Sequence, residues 1–313
     1  MNEPGQPESS RRAGGARVRR TRLRRAIGLL IATVVGALVL TCVNGLWPSW
    51  KQPELGTTSH PRQEGSPRRV KVIAYNIAKC FVREGGLSFR PTVEVSACLE
   101  RIASLLREEQ PHLVFLSEID VESGPCPIDQ VRFLADSVGM YAHAFAPNYS
   151  FGLPFFRVRS GNAILSRFPL HPLPTQQLAG GAPFYYPVNN RRALWVQSQI
   201  GEETVVLGSL RNDSFDLENN LVQSRELLAR MGGTPALLAG DFNAPQGSES
   251  IRLFRDSGLF TGAFEGPATY PSDAPDRCID YILAPRAWRL VDHRVIDDQV
   301  SDHRPVVSVF ELP

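Results

Sequence analysis

An uncharged apolar segment near the N-terminus constrains the architecture of this chain more than any other sequence feature. The segment runs from Ala26 to Val43 and holds 18 residues without a charge. At about 1.5 Å per residue, a helix of roughly this length just crosses the hydrocarbon core of a bilayer. Residues 1–25 contain eight Arg and two acidic residues. Because basic residues stay on the cytoplasmic side of a span, we expect a cytoplasmic N-terminus and an extracytoplasmic remainder.

Two alternatives to a membrane span remain open for such a segment. A cleaved signal peptide has a shorter apolar core and a small-residue cleavage site, and neither feature is pronounced here. A core helix of a soluble domain would not have so many flanking charges. We favour a transmembrane helix over residues 26–47, with Trp47 and Trp50 at the outer interface, where aromatic side chains are enriched.

The rest of the chain divides into a linker and a catalytic domain. Residues 48–69 contain four Pro and few apolar residues, too few to offset the entropy of ordering, so we predict a flexible linker there and a catalytic domain over 70–313.

The whole chain has a net charge of +2, and the basic cytoplasmic tail, residues 1–25, alone holds +6, so residues 26–313 carry −4. This balance argues against the broad positive surface of a tight nucleic-acid binder.

Short apolar runs alternate with helical patterns throughout the predicted domain. Apolar residues recur at helical spacing from Val95 to Leu106 and from Leu217 to Met231, the second pattern stopping at Gly232. The strand-like runs are 70–75, 113–116, 163–165, 194–200, 205–210, 236–239, 279–283 and 306–310. This mixture predicts an α/β sandwich of mixed sheets and not a simple doubly wound parallel sheet.

Four cysteines lie in the part of the chain that we place outside the cytoplasm, where disulfides persist. Cys80 and Cys126 each follow a predicted strand, in loops that would share one face, so this pair is the expected disulfide. The alternative is that all four, including Cys98 and Cys278, are reduced and mostly buried. Because no two of them have the close spacing of metal ligands, a zinc site is not expected.

Several apolar runs end in a carboxylate or an amide. The run at 72–75 leads into Asn76, the run at 114–117 into Glu118, and the run at 237–240 into Asp241 and Asn243. Strands that deliver such side chains from their ends collect oxygen ligands at one edge of a sheet. Oxygen ligands suit Mg²⁺ or Mn²⁺.

Two more carboxylates and an imidazole follow late in the chain. They belong to Asp280, Asp302 and His303, and a His beside a carboxylate can be held in one orientation and kept protonated. Taken singly, each of these residues also fits a turn, a helix cap or a surface pair. Their combination in this order and spacing is specific.

With these motifs the chain resembles the endonuclease/exonuclease/phosphatase superfamily, whose relatives include DNase I, abasic-site endonucleases, neutral sphingomyelinases and inositol-polyphosphate phosphatases. The resemblance covers nearly all of residues 70–313. The motifs that carry it are Asn76, Glu118, Gly161–Pro169, Gly240-Asp241-Phe242-Asn243, Thr269-Tyr270-Pro271, Asp280 and Ser301-Asp302-His303-Arg304-Pro305. The resemblance implies a four-layer α/β sandwich of two mixed β-sheets flanked by helices, here preceded by one transmembrane helix, and metal-assisted hydrolysis of a phosphoester.

The resemblance also implies a metal site. By matching motif position, Glu118 would be the principal ligand of Mg²⁺ or Mn²⁺, with Asn76 and Asp302 near the metal.

The catalytic roles follow in the same way. Asp241 would orient or deprotonate the attacking water, Asn243 would help to hold the phosphate, and Asp280 would pair with His303, whose cation would stabilise the developing charge. These roles suit the chemistry, because an anionic phosphodiester attacked by a weak nucleophile needs its oxygens neutralised and its water placed in line.

One position departs from the family pattern. Relatives often carry a second His after an apolar strand, where this chain has Ser209, and some nuclease relatives without it have an Asn three residues later, the position of Asn212. Ser209 cannot act as a general acid near neutral pH, and Arg211 could instead supply fixed positive charge or be a solvated loop residue.

The leading hypothesis is a membrane-anchored phosphoesterase, nuclease-like or phospholipid-phosphodiesterase-like. The alternative is a non-catalytic phosphate- or nucleic-acid-binding module that retains the fold.

Substrate signals are sparse. Residues 145–159 combine aromatic side chains with Arg157 and Arg159. This segment could stack bases or dip into lipid, but we favour a hydrophobic loop packed on the body. The expected partners are a phosphoester substrate, either a nucleic acid or a phospholipid headgroup, and the membrane. No protein partner can be inferred from the sequence.

Overall fold

The computed structural model of the protein describes residues 8–46, 52–80, 90–121, 123–124, 126–153, 156–180 and 190–313. The helices are α1 (Glu8–Leu46), α2 (Thr92–Glu109), α3 (Gln130–Val138), α4 (Leu217–Met231) and α5 (Glu249–Asp256). The strands are β1 (Glu54–Thr57), β2 (Arg69–Asn76), β3 (Leu113–Asp120), β4 (Ala142–Leu153), β5 (Phe156–Ser166), β6 (Leu170–Pro172), β7 (Gln176–Gln177), β8 (Arg192–Ile200), β9 (Glu203–Arg211), β10 (Ala236–Asp241), β11 (Phe260–Gly262), β12 (Asp280–Pro285), β13 (Arg289–Val295) and β14 (Val306–Glu311).

The strands form two mixed sheets. The first has the order β1-β4-β5-β3-β2-β14-β13, and the second has the order β11-β12-β10-β9-β8-β6, with β7 paired to β8. The pairs β2–β3 and β9–β10 are parallel, and the other strand pairs are antiparallel.

Helices cover the outer face of each sheet. On β2, Val72 and Ala74 pack between the two sheets with Leu207 of β9, whereas Ile73 and Tyr75 pack outward among residues of α2 and α3. This alternation reflects the period of two in a strand that is buried on both faces. A third cluster packs the second sheet against α4 and α5. The predicted four-layer sandwich is therefore confirmed.

Both parallel pairs end at one edge of the sandwich, which we call the site edge. Asn76 ends β2 beside Ser117 of β3, and Asp241 ends β10 beside Arg211 of β9. β12 runs the opposite way, so its first residue, Asp280, lies opposite Asp241. Polar strand ends from both sheets therefore meet at the site edge, as the sequence predicts.

α1 joins the basic tail and the apolar segment in one helix. Residues Arg19–Val43 are long and apolar enough to cross a membrane, with a mean hydropathy of 2.6 and no part of the span buried in the protein. A signal sequence satisfies the same criteria of length and composition. Trp47 and Trp50, the expected interfacial anchors, lie outside the described residues.

The prediction of a flexible linker over 48–69 is wrong for part of its length. Residues 54–57 form β1, which pairs with β4 at the edge of the first sheet, and Pro53 is buried. Glu54 forms an ion pair with the buried Arg159 of β5. Composition did not predict this strand, because β1 is held by hydrogen bonds of its backbone to β4 and not by an apolar face.

Residues 145–159 are not a loop packed on the body. β4 and β5 pair over their whole lengths as a long hairpin, from Ala142 opposite Ser166 to Leu153 opposite Phe156. The hairpin reaches the site edge at its tip, because β5 runs antiparallel to β3 and Asn162 lies opposite Ser117.

The expected disulfide between Cys80 and Cys126 is also wrong. Cys80 is bonded to Cys98 of α2, with the two Cα atoms 5.8 Å apart, while Cys126 and Cys278 are free and buried. Cys80 and Cys126 do lie in the same apolar layer, but α2 packs directly over the turn at Ala78–Cys80 and brings Cys98 closer. A bond between these residues fastens the turn after β2 to α2.

Candidate functional site

Local backbone distortions aim the acidic side chains at the site edge. Glu118 has a left-handed φ of 51° and interrupts the pairing of β3 with β5 between Ser117 and Ile119. Such a bulge turns a side chain out of the regular alternation of a strand. Before Asp241, Gly240 has a φ of 140°, and a Cβ there would lie 2.2 Å from the carbonyl oxygen of Leu210. Glycine is therefore required to bring β10 to its end at Asp241.

Asn76 joins the two sheets at the centre of the site. Its Nδ2 donates to Glu118 Oε1 at 3.2 Å and to Asp241 Oδ2 at 3.1 Å, and lies 3.3 Å from Nε2 of His303. The backbone N–H of Ala78 donates to its Oδ1 at 3.0 Å. This amide is held in one orientation by a backbone contact.

Ser301 connects Asn76 to the late motif of the chain. The Ser301 hydroxyl lies 2.7 Å from the backbone oxygen of Asn76 and 3.2 Å from Oδ1 of Asp302. Asp302 is consequently placed beside Asn76, although the two residues are far apart in sequence.

His303 is held by a buried carboxylate. Its Nδ1 lies 2.9 Å from Asp280 Oδ2, which also accepts a hydrogen bond of 2.6 Å from the Thr269 hydroxyl. Burial by itself would lower the pKa of His303, but the charges of Asp280 and Asp241 outweigh it and raise this pKa to about 10. His303 is therefore an imidazolium at neutral pH.

Two cations hold Glu118. Arg211 Nη2 lies 2.8 Å from Glu118 Oε1, Lys79 Nζ lies 3.9 Å from Oε2, and Arg211 Nε lies 3.4 Å from Asp241 Oδ2. Burial would raise the pKa of Glu118, but the charges of Arg211 and Lys79 outweigh it and lower the pKa to about 2. Glu118 is therefore ionised throughout the physiological range.

Asp241 is the most enclosed carboxylate of the site. It is fully buried, and it accepts hydrogen bonds from the backbone N–H and the Nδ2 of Asn243 at 2.9 and 3.1 Å. Burial raises its pKa, the charge of His303 opposes this, and Asp280 raises the pKa again. A carboxylate with a raised pKa is a stronger base than an exposed one.

Nearly all of the predicted site residues come together. Those that meet at the site edge are Asn76, Glu118, Asp241, Asn243, Asp280, Asp302 and His303. Asn212 is fully buried, and its contacts with the site run through its backbone: its N–H donates to Asp241 O, and its carbonyl accepts from Asn243 Nδ2.

The structure also shows what occupies the position of the missing His. Ser209 is fully buried, and its hydroxyl lies 3.4 Å from the carbonyl oxygen of Leu116, so it has no titratable role. Arg211 is the residue of this strand that reaches the site. Sequence reasoning missed Lys79, whose only signal was its position three residues after Asn76 in the loop that follows a strand.

Two neighbouring groups have the composition of a metal site. Among the described residues, the ligand atoms of Asp241, Asp280 and His303 lie within 4.8 Å of one another, but an imidazolium has no lone pair with which to bind a cation. Glu118 carries a full charge, and Glu118 and its neighbour Asp302 offer carboxylate oxygens, whereas Asn76 turns its Nδ2 toward Glu118 and its Oδ1 toward the N–H of Ala78. The second group fits a hard divalent cation.

Comparisons with known proteins agree with this geometry. Residues 73–303 match the sequence model of the Endonuclease/Exonuclease/phosphatase family. An endonuclease/exonuclease/phosphatase from Beutenbergia cavernae is similar in structure with a TM-score of 0.60 and 22% identity, over 79% of this chain and 72% of that one. No curated protein matches the chain in sequence.

Two further solved structures have the same fold at lower identity. A mannosyl-6-phosphatase from Bacteroides thetaiotaomicron has a TM-score of 0.58 and 16% identity, over 77% of this chain and 99% of that one. The human nocturnin catalytic domain with bound sulfate has a TM-score of 0.57 and 17% identity, over 83% of this chain and 97% of that one. At such identities the likeness shows the fold alone.

Proposed function

The chain belongs to the Endonuclease/Exonuclease/phosphatase family, and from this we propose that it is a membrane-anchored phosphoesterase that hydrolyses a phosphodiester with the help of a divalent metal ion. One observation carries the proposal: Glu118 of the first sheet and Asp241 of the second converge on Asn76, beside the imidazolium of His303. A permanent cation, an ionised oxygen ligand and a buried base are the groups that this hydrolysis needs.

The metal would be held by Glu118, with Asn76 and Asp302 near it. Mg²⁺ or Mn²⁺ would supply a Lewis acid that neutralises non-bridging phosphate oxygens. Arg211 and Lys79 keep Glu118 ionised, so the carboxylate is available as a ligand without losing a proton.

Asp241 prepares the nucleophile. Its carboxylate is oriented by two hydrogen bonds from Asn243, and its raised pKa suits it to accept a proton from the attacking water. The Asn243 Nδ2 donates to Asp241 and to the Asn212 carbonyl, so it would hold a phosphate oxygen near this base by exchanging one of these two acceptors for the phosphate.

His303 and Arg211 stabilise the charge that develops on the phosphate. The Asp280 carboxylate keeps His303 protonated and oriented, so the cation is present before the reaction begins and costs no reorganisation. Ser209 supplies no general acid, so the leaving oxygen takes its proton from solvent or another group.

The proposed topology places the N-terminus in the cytoplasm and residues 70–313 outside it, with residues 26–47 as the span. The apolar composition of α1 supports an anchor, and the Cys80–Cys98 disulfide supports an oxidising compartment for the body.

A substrate panel tests the proposed function. The full chain, purified in detergent, is incubated with plasmid DNA and with sphingomyelin vesicles, each with Mg²⁺, Mn²⁺ or a chelator. We expect metal-dependent hydrolysis of one substrate that is lost in Glu118→Gln and in His303→Asn. Hydrolysis that persists in both variants would remove the catalytic assignment. Binding without hydrolysis of any phosphoester would instead favour the non-catalytic module.

A further inference from the structure

The N-terminal helix is connected to the domain by a short segment that arrives at the site edge. Only seven residues, 47–53, separate the end of α1 from the start of β1, so the two ends lie within roughly 30 Å even if the segment is fully extended. Glu54 pairs with Phe145 and Thr57 with Ala142. The chain therefore enters β1 from the side of the sheet where β2 and β3 end.

α1 also contacts the hairpin that forms one side of this edge. α1 and β4 are in contact. Within the apolar segment, Ala37, Thr41 and Cys42 are partly buried while the residues around them are exposed. Ala37 and Thr41 lie on one face of the helix, as their spacing of four residues requires. The candidate span is otherwise exposed, so α1 approaches the domain without being buried in it.

The most exposed apolar side chains of the domain surround the same edge. Among the described residues outside α1, the large apolar side chains that are more than half exposed are Val93 (74%), Phe215 (74%), Leu217 (66%) and Phe156 (52%). We call these four residues the apolar rim. The next most exposed, Val222, reaches 41%.

Topology places every member of the apolar rim at the site edge. Phe156 lies at the tip of the β4–β5 hairpin. Val93 is the second residue of α2, which leads the chain to the opposite edge of the sandwich, where Leu113 begins β3. Phe215 precedes α4 and Leu217 begins it, and α4 leads the chain to the same opposite edge before β10. Exposed apolar side chains that lie at one edge of a domain suit an interaction surface at that edge.

We propose that the site edge docks on the outer surface of the bilayer, with the apolar rim inserted among the lipid headgroups, so that the enzyme takes its phosphodiester from a phospholipid headgroup. The substrate assignment rests on the proposed function, whereas the docking does not. A bilayer is the occupant that the structure favours, because the chain's own candidate span approaches this edge and because exposed aromatic and aliphatic side chains partition into the interface.

Membrane insertion is measured on the full chain in phosphatidylcholine proteoliposomes that contain nitroxide-labelled lipid. In a Cys42→Ala background, Phe156→Cys or Leu217→Cys carries a polarity-sensitive dye. Cys126 and Cys278 are buried, and Cys80 and Cys98 are bonded to each other, so the dye reacts with the introduced thiol. The matched control is Leu259→Cys, since Leu259 is exposed and lies at the far edge, next to Phe260 opposite Pro285.

We expect the nitroxide lipid to quench the dye at positions 156 and 217 at least threefold more than at 259. Equal quenching at the three positions would overturn the docking, whether or not the protein is an enzyme.

A kinetic comparison tests the substrate. Phe156→Asp and Leu217→Asp should lower the ratio of the hydrolysis rate of a bilayer phosphodiester lipid to that of soluble bis(4-nitrophenyl) phosphate by at least tenfold, and Leu259→Asp should leave it unchanged. An unchanged ratio in all three variants would overturn the substrate assignment. Quenching without hydrolysis of any diester would retain the docking and remove the proposed function, and hydrolysis of DNA without quenching would favour a nuclease that faces water.

Discussion

Replacing Asp280 by Asn should move the pH range in which the site retains its cation. Asn has the shape of Asp and can still accept the hydrogen bonds from His303 and Thr269, so the substitution removes a charge and little else. The Asp280 and His303 atoms are 2.9 Å apart. At an effective dielectric constant of about 20, two unit charges at this distance attract each other by roughly 6 kcal/mol.

That attraction corresponds to about four pKa units at roughly 1.4 kcal/mol per unit. Since the pKa of His303 is raised to about 10, the variant should have a His303 pKa of about 6. At pH 8 the wild-type imidazole is cationic, whereas only about 1% of the variant is, because pH 8 lies about two units above its pKa. We expect the rate of hydrolysis to fall by about 100-fold at pH 8 and to recover toward pH 6.

The assay is the pH dependence of kcat/KM for a phosphodiester, measured from pH 5 to pH 10. The high-pH limb should move from near pH 10 in the wild type to near pH 6 in the variant. Asp276→Asn is the matched control, because Asp276 is exposed and pairs with Arg277 on the surface. If the two limbs coincide in wild type and Asp280→Asn, His303 does not act as a cation maintained by Asp280.

Three further predictions concern metal binding, the disulfide and pH-dependent stability. Glu118→Gln should weaken Mn²⁺ binding at least tenfold in a paramagnetic-resonance titration, and an unchanged affinity would exclude Glu118 as a ligand. The Cys80–Cys98 bond spans 18 residues, so its loss should cost about 3 kcal/mol. The denaturation midpoint should therefore respond to dithiothreitol in Cys126→Ala but not in Cys98→Ala, and the reverse would contradict the pairing. The pKa of Glu118 is lowered to about 2, so its contribution to stability is present above pH 4.5 and is lost as the pH falls toward 2. The pKa of His303 is raised to about 10, so its contribution is present below pH 6.5 and is lost as the pH rises toward 10. The free energy of unfolding is measured against pH for the wild type, Glu118→Gln and His303→Gln. If it changes with pH in the two variants as it does in the wild type, both assignments are refuted.

Hydrophobic periodicity predicted the central strands because both faces of those strands are buried. β2, β3, β9 and β10 are apolar runs that need no partner information to be recognised. The sequence did not predict β1, β4, β6, β7, β11 and β13. Of these, β1 and β13 are edge strands of the first sheet that expose much of their surface and carry polar residues such as Glu54 and Asp292. Their strand conformation depends on a neighbour that the local sequence does not encode.

The choice between partners also required the tertiary structure. The sequence correctly predicts that Cys80 can form a disulfide, but which of several thiols packs over it depends on how α2 lies across the sheet. In the same way, Lys79 became a site residue only through the turn at Ala78–Cys80, which brings its ammonium group within 3.9 Å of Glu118.

The sequence by itself determined the family, the sandwich and the identity of the acidic and amide residues at the site edge, because these follow from local periodicity and from motifs of fixed spacing. Only the tertiary structure decided that Arg211 and Lys79 neutralise Glu118 and that His303 is held as a cation by Asp280. The tertiary structure alone also places the apolar rim at the site edge, which the chain approaches from the N-terminal helix. Charge coupling and surface clustering depend on distances between segments far apart in the chain, and such distances exist only once the two sheets have packed.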